Sequence, residues 1–313
     1  MTQAILNTAE LSQSEWLEQR KRGIGGSDAS AVAGLNRWKS PIVVYMEKTG
    51  EIKSESSNSE AAYWGNVMED TVAKEFTRRT GLKVRRRNAL LQHKDHDWML
   101  ANVDRMVVGR NEGLECKTAS EYLKGDWEAE EIPASYLLQC QHYMAVTDAD
   151  AWWIAVLVGG NKFIYKKIER DEELIDHLIA IEKDFWENHV LANNPPLPDG
   201  SQASTEFMDA LYKDSEPDSE TELPVDAETL VNDWKQAEED EKDAKKRKDE
   251  AKNRLKTHLG EHERGYVKDH IVNWKPVTSE RIDSKRLKLE KPDLYQEYSK
   301  ASSYRRMTIK EAK

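Results

Sequence analysis

Between Asn102 and Ser120 the chain runs NVDRMVVGRNEGLECKTAS, and no other stretch limits the possible folds as tightly. Val103, Met106, Val107 and Val108 are β-branched or apolar. Residues 109–113 supply a glycine-bounded turn, and Leu114 to Thr118 resumes an extended pattern. The pattern predicts a hairpin. Side chains alternate along a strand, so Glu115 and Lys117 share one face and Cys116 takes the other, while the hairpin brings Asp104 alongside the pair. Two carboxylates converging with a lysine can hold a divalent cation through hard oxygen ligands, with the ammonium steadying or deprotonating an attacking water. A solvated hairpin with alternating charges gives the same letters. In a chain that is 34% charged an isolated E-x-K decides little, so the neighbouring segments must decide.

The chain has 313 residues, with 47 Lys and Arg against 58 Asp and Glu, a formal net charge of −11. An acidic average surface repels a polyanion, so a nucleic-acid partner has to be met by local basic patches or by metal. Cys116 and Cys140 are too few for a disulfide framework or a four-cysteine metal site. No apolar run reaches membrane-spanning length and the first residues lack a signal-peptide layout, which predicts a soluble cytoplasmic protein with no membrane partner.

Residues 12–21 predict a short helix capped by Ser12 or Ser14. Arg20, Lys21 and Arg22 then lead into glycines at 23, 25 and 26, and Ser27 and Asp28 open a helix running to Gly34. Small residues before a helix start, beside a cation, suit a phosphate; a plain glycine turn with a Ser/Asp cap is the alternative. Ser40-Pro41 starts a helix that ends at Gly50. After the polar loop SESSNSE, a helix is expected from about Glu60 to Thr80, with Trp64, Met68, Val72 and Phe76 as its buried stripe. Glu69, at the edge of that stripe, is either a boundary ion-pair partner or a side chain aimed into a site.

KVRRRNALLQ, residues 83–92, predicts one strand, whose Arg85, Arg86 and Arg87 form either a solvated edge or a groove for phosphates. His93 and His96 lack a second ligand pair, which argues against zinc. A helix from Pro133 to about Val146 places Gln141 in the centre of its apolar face and Gln139 to one side. A buried amide needs partners, either backbone in the core or a lysine, water or metal-bound group in a site. Residues 151–158 and 162–169 predict a hairpin whose first, continuously apolar strand is central, followed by a helix over 171–191. One domain is therefore expected over 1–192. Residues 193–225 predict a linker, 226–262 a charged helical arm with a thin apolar seam, and 263–313 a small strand-containing module with a basic surface. In that module Tyr295, Tyr298, Tyr304, Arg305 and Arg306 either touch DNA or stay packed and solvated.

Five motifs occur in order: Arg22 with GIGGSD, W-G-x-x-x-E from Trp64 to Glu69, Asp104, Glu115-Cys116-Lys117, and Y-x-x-Q-x-Q from Tyr136 to Gln141. Together they resemble the phage lambda exonuclease and YqaJ-type viral recombinase family of the PD-(D/E)xK nuclease superfamily, over about residues 10–190. The resemblance implies an α/β fold, a restriction-endonuclease-like core with a central mixed sheet flanked by helices. It implies that Asp104, Glu115 and the main-chain carbonyl of Cys116 hold Mg2+, with Mn2+ as a substitute. Lys117 then orients or deprotonates the water, and Glu69 and Gln141 complete the water and metal shell. Arg22 grips the 5′-terminal phosphate with Ser27 or Ser30. If the chain forms a ring, Arg85, Arg86 and Arg87 lining its bore would reconcile an acidic exterior with a DNA substrate, and Gln139 is a further DNA-binding candidate. The implied activity is a 5′-to-3′ exonuclease that digests one strand of linear duplex DNA. It leaves 3′ overhangs for a single-strand annealing protein, and acts as a phage- or prophage-encoded homotrimer in the bacterial cytoplasm. An endonuclease of the same superfamily and a catalytically silent DNA-binding or assembly protein are the competing readings.

Overall fold

The computed structural model describes residues 3–52, 59–300 and 304–310, so most of the SESSNSE loop lies outside the described residues. The chain divides into two compact units, Met1–Leu211 and Tyr212–Lys313.

The first unit opens with β1 (Gln3–Asn7), α1 (Gln13–Arg20), β2 (Ile24–Gly25), α2 (Gly26–Val32), α3 (Pro41–Thr49) and α4 (Glu60–Thr80). Next come β3 (Val84–Arg86), β4 (Ala89–Gln92), β5 (Met99–Asn102), β6 (Arg105–Val107) and β7 (Glu112–Ala119). The helices α5 (Lys124–Glu128) and α6 (Ala134–Thr147), the strands β8 (Ala151–Val158) and β9 (Lys162–Glu169), and α7 (Glu172–Phe185) and α8 (Gln202–Leu211) complete it. Local chemistry sets the ends of these elements. Ser12 and Glu15 form a reciprocal capping box at the start of α1, and Pro41 occupies the first turn of α3, where a missing N–H costs nothing.

Five strands form one mixed sheet in the order β3-β6-β7-β8-β9, with β7 and β8 parallel and the other neighbours antiparallel. Four more form a second sheet, β1-β4-β5-β2, in which β2 and β5 run parallel. The apolar strand β8 is central, as its sequence predicts. Its Trp152 is fully buried opposite Gly113 of β7, where a Cβ would come within 2.3 Å of the indole. Burying a ring of that size is worth on the order of 4–6 kcal/mol as an upper bound, and glycine is what makes room for it.

Three expectations change. Residues 83–92 are two strands in different sheets. Arg85 and Arg86 stay exposed on the edge strand β3, whereas Ala89, Leu90 and Leu91 are all buried in β4, so the chain changes sheets near Asn88. The stripe of α4 is buried only at Val72, Ala73 and Phe76, which pack on Leu114, Ala155 and Phe163; Trp64 is half exposed. The first turns of that helix instead run beside the end of β7, where a Cβ on Gly65 would lie 3.8 Å from the Thr118 hydroxyl. Finally, the predicted linker contains α8, which packs against α3 and buries Ala203 and Ser204.

The second unit consists of α9 (Ala227–Leu259), a hairpin of β10 (Arg264–Val267) and β11 (His270–Asn273), and the short helices α10 (Ser284–Glu290) and α11 (Pro292–Glu297). Of the residues in α9, Leu259 alone is buried, against Gly265 of the hairpin.

Candidate functional site

Asp104 sits in the bend between β5 and β6. Its Oδ2 accepts the backbone N–H of Cys116 at 2.8 Å, which locks it to the middle of β7. On β7, Lys117 Nζ lies 2.6 Å from Glu115 Oε1. The same oxygen accepts the Gln139 side-chain amide of α6 at 2.7 Å, and that amide also donates to the Tyr143 hydroxyl at 2.8 Å. Glu115 is 3% exposed, and its other oxygen, Oε2, is buried with no hydrogen-bond partner among the described residues. Burial, then the charge of Glu115, pushes the Asp104 carboxyl up to about 7. Burial alone would weaken the Lys117 ammonium, but the Glu115 and Asp104 carboxylates overcome it and hold the lysine more firmly protonated than usual. Burial and then the same two acids raise the Cys116 thiol, so its sulfur stays protonated and its main chain is the useful part.

Glu69 is the third acid. Burial, then the nearby Asp104 charge, raises its pKa, while Arg105 opposes both. Arg105 is buried and forks between Glu69 and Asp70, reaching Asp70 Oδ1 at 2.5 Å, and it also donates to the Asp104 carbonyl at 2.7 Å. Glu69 is thus a boundary ion-pair partner that also feels the charge of Asp104.

A second buried cluster stands at α2. Asp28 is fully buried and meets Lys48 Nζ at 2.7 Å, Lys39 Nζ at 2.9 Å and Arg20 Nη2 at 3.1 Å. Burial opposes its charge, but Lys39, Lys48 and Arg20 hold its carboxyl well below the usual range. Arg20 also donates to Ser27 Oγ at 2.8 Å, and the backbone N–H of Gly25 is spent on Asp28 Oδ2 at 3.3 Å. Gly26 lets this loop approach α6, since a Cβ there would sit 2.5 Å from the Tyr143 ring. A cleft of about 360 Å³ joins the two clusters. Ser27, Ser30, Asn36, Arg37 and Trp38 line it on one side, Lys117, Gln139 and Tyr136 on the other.

Two residues expected at the site, Gln141 and Arg22, are placed differently. Gln141 is absent from the site: its amide donates to the Glu169 carbonyl at 2.9 Å and its oxygen accepts the Asp171 N–H at 3.1 Å, which is the core alternative. Gln139 takes its place, because α6 turns that residue and Tyr143 toward β7. Arg22 is exposed and donates to Gln19 at 3.1 Å, so Arg20 is the arginine that reaches Ser27. Of the two serines, Ser27 is exposed, whereas Ser30 is 3% exposed and accepts from Asn36 at 3.1 Å. Arg86 of the basic run is tied to Asp70 at 2.6 Å, while Arg85 stays exposed and Arg87 half-buried. Two of the missed residues left a signal. Arg20 follows Trp16 by one helical turn and covers its ring at 4.9 Å, and Lys48 follows the buried Val44 by four on the same face of α3. Lys39, Arg105 and Asp70 left none.

Among the described residues no three His, Cys, Asp or Glu side chains form a ready-made metal cage. The buried, unpartnered Glu115 Oε2 beside an Asp104 that is reluctant to ionise is nevertheless an arrangement a divalent cation would satisfy, with main-chain oxygens and water completing its shell.

These features define a class, a restriction-endonuclease-like α/β core with Glu115 and Lys117 on an inner strand and Asp104 in a bend beside it. LHK-Exo, an alkaline exonuclease from Laribacter hongkongensis solved in complex with dAMP, has a similar fold. Its TM-score is 0.50 at 19% identity, with 58% of this chain and 94% of that one covered. Residues 15–150 match the YqaJ-like viral recombinase domain family. The chain is 42% identical over 311 residues to the uncharacterized protein YqaJ of Bacillus subtilis (strain 168), covering 99% of this chain and 98% of that one. It is 26% identical over 202 residues to protein R354 of Acanthamoeba polyphaga mimivirus, covering 60% of this chain and 33% of that one. The chain belongs to the YqaJ-like viral recombinase family.

Proposed function

We propose that the chain is a Mg2+-dependent exonuclease that digests the 5′-ended strand of linear duplex DNA and leaves a 3′ overhang. The observation that carries this is Glu115: one oxygen is fixed by Lys117 and Gln139, the other is buried and unpaired, and Asp104 stands beside it. Bound Mg2+ would supply Lewis-acid activation of water and offset the charge that builds on the phosphate and the leaving 3′-oxygen. Asp104, Glu115 and the Cys116 carbonyl would hold it. Lys117, a firm ammonium, serves better to orient water and neutralise phosphate charge than to remove a proton. Gln139 fixes the Glu115 rotamer, and Arg105 steadies Glu69 and the Asp104 main chain.

Ser27, held by Arg20, lines the same cleft as Lys117 and suits a 5′-terminal phosphate. A phosphate anchored there while the next linkage meets Glu115 would set the cut one nucleotide in, which is the reason for favouring an end-dependent enzyme over an endonuclease. Three copies around the duplex, with a single-strand annealing protein receiving the overhang, complete the reading. Incubation with linear and covalently closed duplexes in Mg2+ tests it: release of 5′-mononucleotides from the linear DNA alone is expected. Nicking of the closed circle would replace it with the endonuclease reading, and DNA retention without hydrolysis with the silent one.

A further inference from the structure

The sign of the charge reverses along the second unit. Residues 1–244 contain 27 Lys and Arg against 47 Asp and Glu, whereas residues 245–313 contain 20 against 11. The reversal falls inside a single helix, α9, with Glu238, Glu239, Asp240, Glu241 and Asp243 before it and Lys245, Lys246, Arg247 and Lys248 after it. We propose that the basic end of this unit, from Lys245 onward, is a sequence-independent binding surface for the phosphate backbone of duplex DNA. The choice of DNA rests on the nuclease reading above.

Three observations support it. Lys245, Lys248, Lys252 and Lys256 recur at three- and four-residue spacing, so they form one stripe about 16 Å long on the helix. The ion pairs on α9 join Lys242 to Glu238 and Arg254 to Glu250; among the described residues Lys245, Lys246, Arg247 and Lys248 have none and are exposed. The stripe ends at an aromatic surface. Lys256 Nζ lies 5.1 Å over the half-exposed Trp274 ring, beyond β11, and Tyr266 of β10 is 70% exposed. Unpaired cations at this spacing suit the phosphates of a duplex, and flat aromatic side chains at the end of the stripe can pack on its sugar rings. On the basic half of α9 the exposed apolar side chains are Ala251 and Leu255, so the helix face offers charge rather than an apolar anchor, while Tyr266, Val267, Ile271 and Trp274 are exposed on and beside the adjoining hairpin. Such a surface also explains how an acidic chain could keep hold of DNA between successive cuts.

The test uses the full-length protein in EDTA, with a fluorescent duplex closed by hairpin loops at both ends, so that neither hydrolysis nor a 5′ phosphate contributes. The quadruple variant K245Q/K248Q/K252Q/K256Q keeps good helix formers, and E238Q/E239Q/E241Q alters the acidic stretch of the same helix and moves the net charge the opposite way. We expect the quadruple variant to bind at least about tenfold more weakly, with the slope of log affinity against log salt reduced by about 3–4. The acidic-stretch variant should bind as well as wild type or better, and circular dichroism should show unchanged helicity in both. Equal affinity and slope in the quadruple variant would overturn the proposal. So would unchanged DNA binding together with loss of a concentration-dependent self-association, which would assign the basic end to the acidic half of a second copy. A parallel Mg2+ digestion of linear DNA by the wild type reports on the nuclease reading by itself, so either idea can fail alone.

Discussion

Two buried acids in the first unit are treated in opposite ways. Asp28 has no exposed surface, yet three cations surround it and its carboxyl is held well below its usual range. Glu115 is almost as buried, but it has one lysine to share with Asp104, which is pushed up to about 7, and one of its own oxygens is unpaired. The first cluster leaves neither oxygen of its buried acid without a cation, Lys39 reaching Glu47 as well, and works as a frame, placing Arg20 and Ser27. The second carries more negative charge than its surroundings neutralise, which a frame would not tolerate and a cation site requires. The contrast separates structure from chemistry where burial alone cannot.

Lys117→Ala should break that contrast most sharply. Loss of turnover on the order of 10²–10⁴-fold is expected in a single-turnover digestion, at a temperature where melting shows the variant folded. The two glutamines come next. Gln139→Ala should cost roughly 10–100-fold in turnover, or in the Mg2+ concentration needed, by freeing the Glu115 rotamer. Gln141→Ala should instead cost about 1–3 kcal/mol in denaturant unfolding, because it leaves buried main-chain groups at Glu169 and Asp171 unpaired. At the frame, Arg20→Ala should reduce the preference for 5′-phosphorylated over 5′-hydroxyl ends about tenfold and lower stability by about 1–3 kcal/mol. That is less than for an isolated buried pair, since Lys39 and Lys48 remain on Asp28. Arg22→Ala should change neither.

The smallest effect is in pH. Asp104 binds its proton more tightly folded than unfolded, so its contribution favours the fold below its usual range and is lost as pH rises through about 7. His142 lies fully buried against Glu182 at 2.8 Å. Burial lowers its pKa, but Glu182 more than restores it, so it shifts stability in the same direction. The metal-free protein should therefore melt higher at pH 6 than at pH 8, and Mg2+ should raise the melting temperature more at pH 8. An equal Mg2+ shift at both values would argue against Asp104 as a ligand.

The frame and the chemistry were not equally legible in the sequence. The hairpin, the central apolar strand and the capped ends of α1 and α3 followed from period, caps and glycines, because local rules govern them. The choice between Gln139 and Gln141 was not available. Residues 138–146 of α6 are buried without a break, so no apolar face distinguishes the two amides. The Asp28 cluster escaped for another reason: Arg20, Lys39 and Lys48 come from three different segments and look like solvated charges until the fold collects them. Arg85 to Arg87 suggested one continuous strand, and the change of sheet that follows depends on tertiary packing of Ala89 to Leu91.

The central claim is that Asp104 and Glu115 share one divalent cation. Isothermal titration of Mg2+ or Mn2+ into wild type, Asp104→Asn and Glu115→Gln, with the folded state checked by melting, tests it most directly. The account predicts binding to wild type at pH 8, with release of protons from Asp104, and its loss in both variants. Unchanged binding in either variant would contradict it.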